Sequence, residues 1–143
     1  MRKDVSLNVS PVQAIGPAVL DADSTPAAID MRNFGAAVIC LSVGAGGITF
    51  TSSNKIEFKL THSHDDSTYE AVTQDDVKGV TVGDGGIIKS LVAAHAAASI
   101  TEIGYHGGRG YLKLLADFSG THSTGTPLSA VVVRCNPYVA PVA

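Results

Sequence analysis

Ile56-Glu57-Phe58-Lys59-Leu60-Thr61 alternates apolar and polar residues, enters His62-Ser63-His64-Asp65-Asp66-Ser67-Thr68, and returns through Tyr69-Glu70-Ala71-Val72. Ile56, Phe58 and Leu60 fall on one face and Glu57, Lys59 and Thr61 on the other. This period of two marks a strand with one buried and one wet side. Antiparallel sheets make such strands and parallel sheets rarely do. The alternation returns at Leu112, Leu114, Ala116 and Phe118. The expected fold is all-β: an antiparallel β-sandwich or jelly-roll-like barrel with an extended N-terminal arm and at most one short helix.

Further strands are expected on both sides of that hairpin. Phe34 to Val43 is a long apolar run broken by Gly44-Ala45-Gly46-Gly47. Ile48 to Thr51 and Val80 to Val82 read as short strands, and Ile100 to Tyr105, Tyr111 to Phe118 and Leu128 to Cys135 as longer ones. Gly83-Asp84-Gly85-Gly86 and Gly107-Gly108-Arg109-Gly110 read as turns, and residues 119–127 as a loop. Strand signals about every 10 residues suit a sandwich or jelly roll. Leu91 to Ala98 carries helix propensity without a good cap, which predicts one or two helical turns. Pro11, Pro17 and Pro26 interrupt the first thirty residues. Beyond a short strand at Val5–Val9 no periodicity persists there. The chain divides into an arm, residues 1–30, and a sandwich domain, residues 31–143. Such an arm is ordered by packing on its own domain or on a neighbour.

At 143 residues and 14.6 kDa the chain has the size of one domain. Hydrophobic residues make up 45% and Trp is absent, so the core must be Val, Ile, Leu and Ala. Only 16% are charged, against roughly 25% in ordinary domains, and a weakly charged surface suits life against another protein. The net charge of −3 comes with no basic stripe, which argues against nucleic-acid binding. No apolar run is long enough to span a membrane. Arg2 and Lys3 are followed by Asp4 and no apolar stretch, unlike a secretory leader. Cys40 and Cys135 each sit in an apolar run and read as reduced core thiols.

Candidate chemistry is sparse. His62, His64, Asp65 and Asp66 are the densest set of potential metal ligands, but Asp-Asp-Ser-Thr is also what a solvated turn looks like, with side chains bonding their own backbone. Asp117, Ser119 and His122 are close in sequence, yet no Gly-x-Ser-x-Gly elbow surrounds any serine. No helix follows the glycines at 104–110, as a phosphate site requires. Arg109 and Tyr111 could form a recognition patch or a structural cation–π pair. No catalytic residue, metal site or cofactor is assigned, and no enzymatic activity is expected.

Ile56 to Val72, Gly104-Tyr105-His106-Gly107-Gly108-Arg109-Gly110-Tyr111-Leu112-Lys113 and Phe118-Ser119-Gly120-Thr121-His122-Ser123-Thr124-Gly125-Thr126-Pro127 together resemble small head-module proteins of tailed bacteriophages, some of which decorate or cement the capsid. The resemblance spans roughly residues 35–135 and rests on structural motifs. It implies a virion protein made in the host cytoplasm and placed on the capsid surface. The implied partners are the major capsid protein and the chain itself, as a homo-oligomer of which a trimer is the family expectation. The arm would supply the shell contact through Val5, Leu7, Val9, Val12, Ile15, Val19, Leu20 and Ile29. The alternatives are a low-copy neck, tail or head-spike protein and a carbohydrate-binding module. For the latter, a weaker likeness to discoidin-type sandwiches points to Arg109 and Tyr111.

Overall fold

The computed structural model describes residues 5–95 and 97–139. It is a β-sandwich. After a 3-10 turn at Ser6–Asn8, ten strands follow: β1 (Ser10–Leu20), β2 (Ile29–Asp30), β3 (Phe34–Val43), β4 (Lys55–Ser63), β5 (Glu70–Ala71), β6 (Val77–Lys78), β7 (Ile87–Leu91), β8 (Ser99–Tyr105), β9 (Tyr111–Ser119) and β10 (Thr126–Pro137). Sheet A has the order β1-β10-β3-β8-β6, and sheet B the order β2-β9-β4-β5 with β7 also on β4. Every pairing is antiparallel.

The chain changes sheet at almost every connection, and only the β4–β5 hairpin joins neighbours in one sheet. The turn of that hairpin forms as its residues dictate. The Ser63 hydroxyl accepts from the Asp65 and Asp66 amides, and Asp65 Oδ1 accepts from the Ser67 and Thr68 amides at 2.9 Å. Asp66 takes the left-handed conformation that Asp tolerates.

Alternation places Ile56, Phe58 and Leu60 of β4 against Ile39 and Leu41 of β3, Ile103 of β8, Leu112 and Leu114 of β9 and Val132 of β10, all fully buried. Each such side chain contributes about 1.5–3 kcal/mol relative to leaving it in water. The bulkiest buried side chains are Tyr105, Phe50 and Phe58, so the core is more aromatic than composition implied.

Several expectations are corrected. The segment after Val9 is β1, paired to β10 from Ser10↔Arg134 to Leu20↔Thr126, with irregularities around Ala14 and between Ile15 and Ala18. Pro11 and Pro17 hid its alternation, and an edge strand is where a sheet accepts proline. The Val5–Val9 strand is instead the 3-10 turn and its flanks. The linker after β1 also belongs to the sandwich. Ser24 Oγ accepts from the Ala116 amide at 2.9 Å and Asp23 Oδ1 from the Phe118 amide at 2.7 Å, which satisfies the free edge of β9. Ile48–Thr51 and Val80–Val82 are not strands. No helix forms at Leu91–Ala98 among the described residues: Leu91 closes β7 and His95 is held in a loop, stacked on Phe50 with Nε2 3.0 Å from the Gly44 carbonyl.

Candidate functional site

The two outer faces of the sandwich differ in chemistry. On sheet B, β4 turns Lys55, Glu57, Lys59 and Thr61 outward, and β9 turns out Tyr111, Lys113, Leu115 and Asp117. Lys59 and Asp117 form an ion pair at 2.6 Å, and Lys55 lies 3.4 Å from Glu57. Lys113 sits over the Tyr69 ring at 4.3 Å and Arg32 over Tyr111 at 5.4 Å. This is a solvated, internally neutralised surface.

Sheet A presents the opposite. Register fixes which residues share its outer face, since antiparallel partners point the same way. One row reads Pro11–Val133–Val38–Gly104 and ends on exposed Lys78 of β6, and the next reads Gln13–Val131–Cys40–Glu102. A third carries Ser129, Ser42 and Ile100, with Ile100 75% exposed. Val19 and Pro127 follow, with Val19 64% exposed, beside a shallow groove of about 360 Å³ also lined by Pro17 and Gly44. In the central strands β10 and β3 this face carries valine, cysteine, serine and alanine from Ala36 to Ser42 and from Ser129 to Val133, and no charge. Both cysteines lie here, partly exposed and unbonded, rather than in the core.

A second apolar surface lies at one end of the sandwich. The 3-10 turn packs on β10, and Ser10 lies opposite Arg134, so residues 5–9 and the end of β10 share one end of the sandwich. Val5, Leu7, Tyr138 and Val139 are all exposed at that end. Arg134 anchors the corner: Nη1 donates to the Asp30 carbonyl at 2.8 Å, Nη2 to Ser10 Oγ at 2.6 Å, and the guanidinium lies over Phe34 at 4.7 Å.

The eight residues expected to contact a partner therefore separate. Ile15 and Ile29 are buried in the core, and Val12 and Leu20 pack against it, because β1 and β2 are sandwich strands. These four serve folding. Val5, Leu7 and Val19 are exposed and Val9 is half-buried. Sequence reasoning missed the outer face of sheet A, since two apolar runs look alike whether one side or both are covered.

The other sequence candidates are not brought together. His62 points inward and His64 outward. Among the described residues, no group of three or more His, Cys, Asp or Glu is placed to hold a metal ion. Asp117 is engaged by Lys59, while His122 Nε2 faces the Ser119 carbonyl at 2.8 Å, so these residues make no relay. Arg109 pairs with Glu70 at 3.1 Å, and the cation on Tyr111 is Arg32. Among the described residues no helix is long and apolar enough to cross a membrane.

One buried polar tie was not foreseen. His62 Nδ1 lies 2.9 Å from the Tyr105 hydroxyl, which accepts from the Arg109 amide at 3.3 Å. The tautomer of His62 sets which of the two donates, and its Nε2 lies 3.9 Å from Asp76. Burial pushes the imidazole below its ordinary value against the opposing pull of Asp76, and burial pushes the Tyr105 hydroxyl up to about 12.

Compared with known proteins, the chain matches no family model, and no curated protein matches it in sequence.

Proposed function

We propose that this chain is a structural virion protein that binds the major capsid protein of a tailed phage and stabilises the shell from the capsid surface. The observation that carries the reading is the corner beside the 3-10 turn and the end of β10, where Val5, Leu7, Tyr138 and Val139 are exposed. The resemblance of residues 35–135 to phage head-module proteins supports the same assignment. An attachment protein needs a rigid body and an apolar contact, and the corner is held to the body by Arg134. At about 25 cal/mol per Å² of apolar area, a few hundred Å² per copy already matters, and repetition on a shell multiplies it.

The test is quantitative mass spectrometry of purified particles from a producing lysate, scaled to the major capsid protein. A ratio near one, or a fixed large fraction of it, supports decoration of the whole shell. A few per cent moves the protein to a neck, tail or spike, and absence overturns the virion reading. Removing residues 1–9 should then abolish particle binding with the sandwich intact. A longer deletion through residue 25 would strip β1 from β10 and expose the core at Ile15.

A glycan-binding role would rest on Tyr69, Tyr111 and Arg109. Those rings are covered by Lys113 and Arg32, and Arg109 is paired with Glu70, so a sugar would have to displace these contacts. A glycan array decides that alternative.

A further inference from the structure

We propose that the outer face of sheet A is a self-association surface, on which a second copy of this chain packs face to face about a two-fold axis. The proposal is separate from the shell contact, which uses the terminal corner.

A two-fold interface needs a patch that complements itself, so that residue i meets j while j meets i. The rows of this face meet that condition about a line running between β10 and β3. Val133 on one side is matched by Val38 on the other, Val131 by Cys40, and Ser129 by Ser42. One strand further out, Gln13 on β1 is matched by Glu102 on β8 in the same row. Turning a copy over about that line stacks Val133 on the partner's Val38 and Val131 on the partner's Cys40. The same rotation brings the Gln13 amide, a donor, to the partner's Glu102, so the one carboxylate in the row gains a neutral donor and meets no second carboxylate.

Size and shape agree. The central residues are small or β-branched, which suits the separation of about 10 Å and near-aligned strands of packed sheets. Four strands about 4.8 Å apart and some seven residues long give a projected footprint of about 450 Å², or about 900 Å² for two copies, the size of a weak, concentration-dependent interface. An apolar centre with Gln13 and Glu102 at its margin has the anatomy of such a contact. Sheet B cannot do the same, because Lys59, Asp117, Glu57 and Lys113 would have to be desolvated.

The test is sedimentation equilibrium of the full chain at micromolar concentrations, joined to the alkylation rate of Cys40 in a Cys135→Ser background. The expected mass is twice 14.6 kDa. Val131→Glu should return it to a single chain with unchanged far-ultraviolet circular dichroism, while Thr61→Glu on the opposite face leaves the dimer intact. At a concentration about tenfold above the dissociation constant, mass action leaves about one chain in five free, so Cys40 should react about fivefold more slowly than at high dilution. That protection is read without adding any charge to the face. A single-chain mass throughout, a dimer that Val131→Glu leaves unchanged, or a larger oligomer whose Cys40 is unprotected would each overturn the proposal. None of these outcomes bears on particle occupancy, so the two readings fail separately.

Discussion

The Tyr105 hydroxyl and His62 Nδ1 lie 2.9 Å apart across the interior of the sandwich, joining β8 of one sheet to β4 of the other. It is a buried polar cross-tie between the two sheets, and both of its ends depend on it. Tyr105→Phe leaves His62 Nδ1 and the Arg109 amide without the hydroxyl. The expected loss is about 1–3 kcal/mol, read from urea unfolding. A loss near zero would mean that the tie contributes no net stability.

The same pair sets a pH dependence. His62 has a folded-state pKa below its ordinary 6.5, chiefly through burial. The unfolded chain therefore takes up a proton first as pH falls. Stability is full above 6.5 and declines as pH drops from there through the folded-state value. His62→Gln should flatten that part of the profile. Urea midpoints measured above and below pH 6.5 for both proteins check it.

Asp65 acts at lower pH. Hydrogen bonds from the Thr68 and Ser67 amides and the Ser63 hydroxyl hold its carboxyl at about 2, below the ordinary 3.8. Its contribution is present above 3.8 and is lost as pH falls towards about 2. Asp65→Ala should lower stability at neutral pH and remove that portion of the acid transition, as thermal melts across the range would show.

Gly85 and Gly86 both have positive φ, but they differ in surroundings. A Cβ on Gly85 meets nothing within 4 Å, whereas one on Gly86 would lie 2.5 Å from the Leu60 carbonyl oxygen. Gly85→Ala should cost about 1 kcal/mol through the backbone alone. Gly86→Ala should cost clearly more, because Leu60 donates its amide to the Gly86 carbonyl at 2.9 Å and cannot withdraw freely. Equal melting temperatures for the two variants would refute the distinction.

Lys59 and Asp117 make the shortest ion pair on sheet B, but both side chains keep about a quarter or more of their exposure. Lys59→Met should therefore change stability by about 0–1 kcal/mol, and less in high salt. A larger, salt-insensitive loss would mean that the lysine stem matters through packing.

Much of this fold was legible in the residues. β4 and β9 announce themselves because each has one wet face, and β3 and β10 because their apolar runs are long. The hairpin turn was readable from Ser63, Asp65 and Asp66, whose short polar side chains bond nearby amides. β1 was not legible, because Pro11 and Pro17 remove the donors that an inner strand would need, and only its place at the sheet edge makes them tolerable. The His62–Tyr105 tie joins positions 43 residues apart, beyond the reach of any local pattern. The asymmetry of the two outer faces needed the register. Val131 and Cys40 look like core residues until β10 and β3 are set side by side.

The place of β10 between β1 and β3 has a consequence for how the protein is made. Ser10 waits for Arg134, and Phe34 for Pro137. Until the last strand leaves the ribosome, β1 has no partner and β3 presents a bare hydrogen-bonding edge. The sandwich closes only by long-range pairing, the slow kind. A nascent or truncated chain therefore passes through a stage with two unpaired strand edges, when it is most open to pairing with the wrong strand.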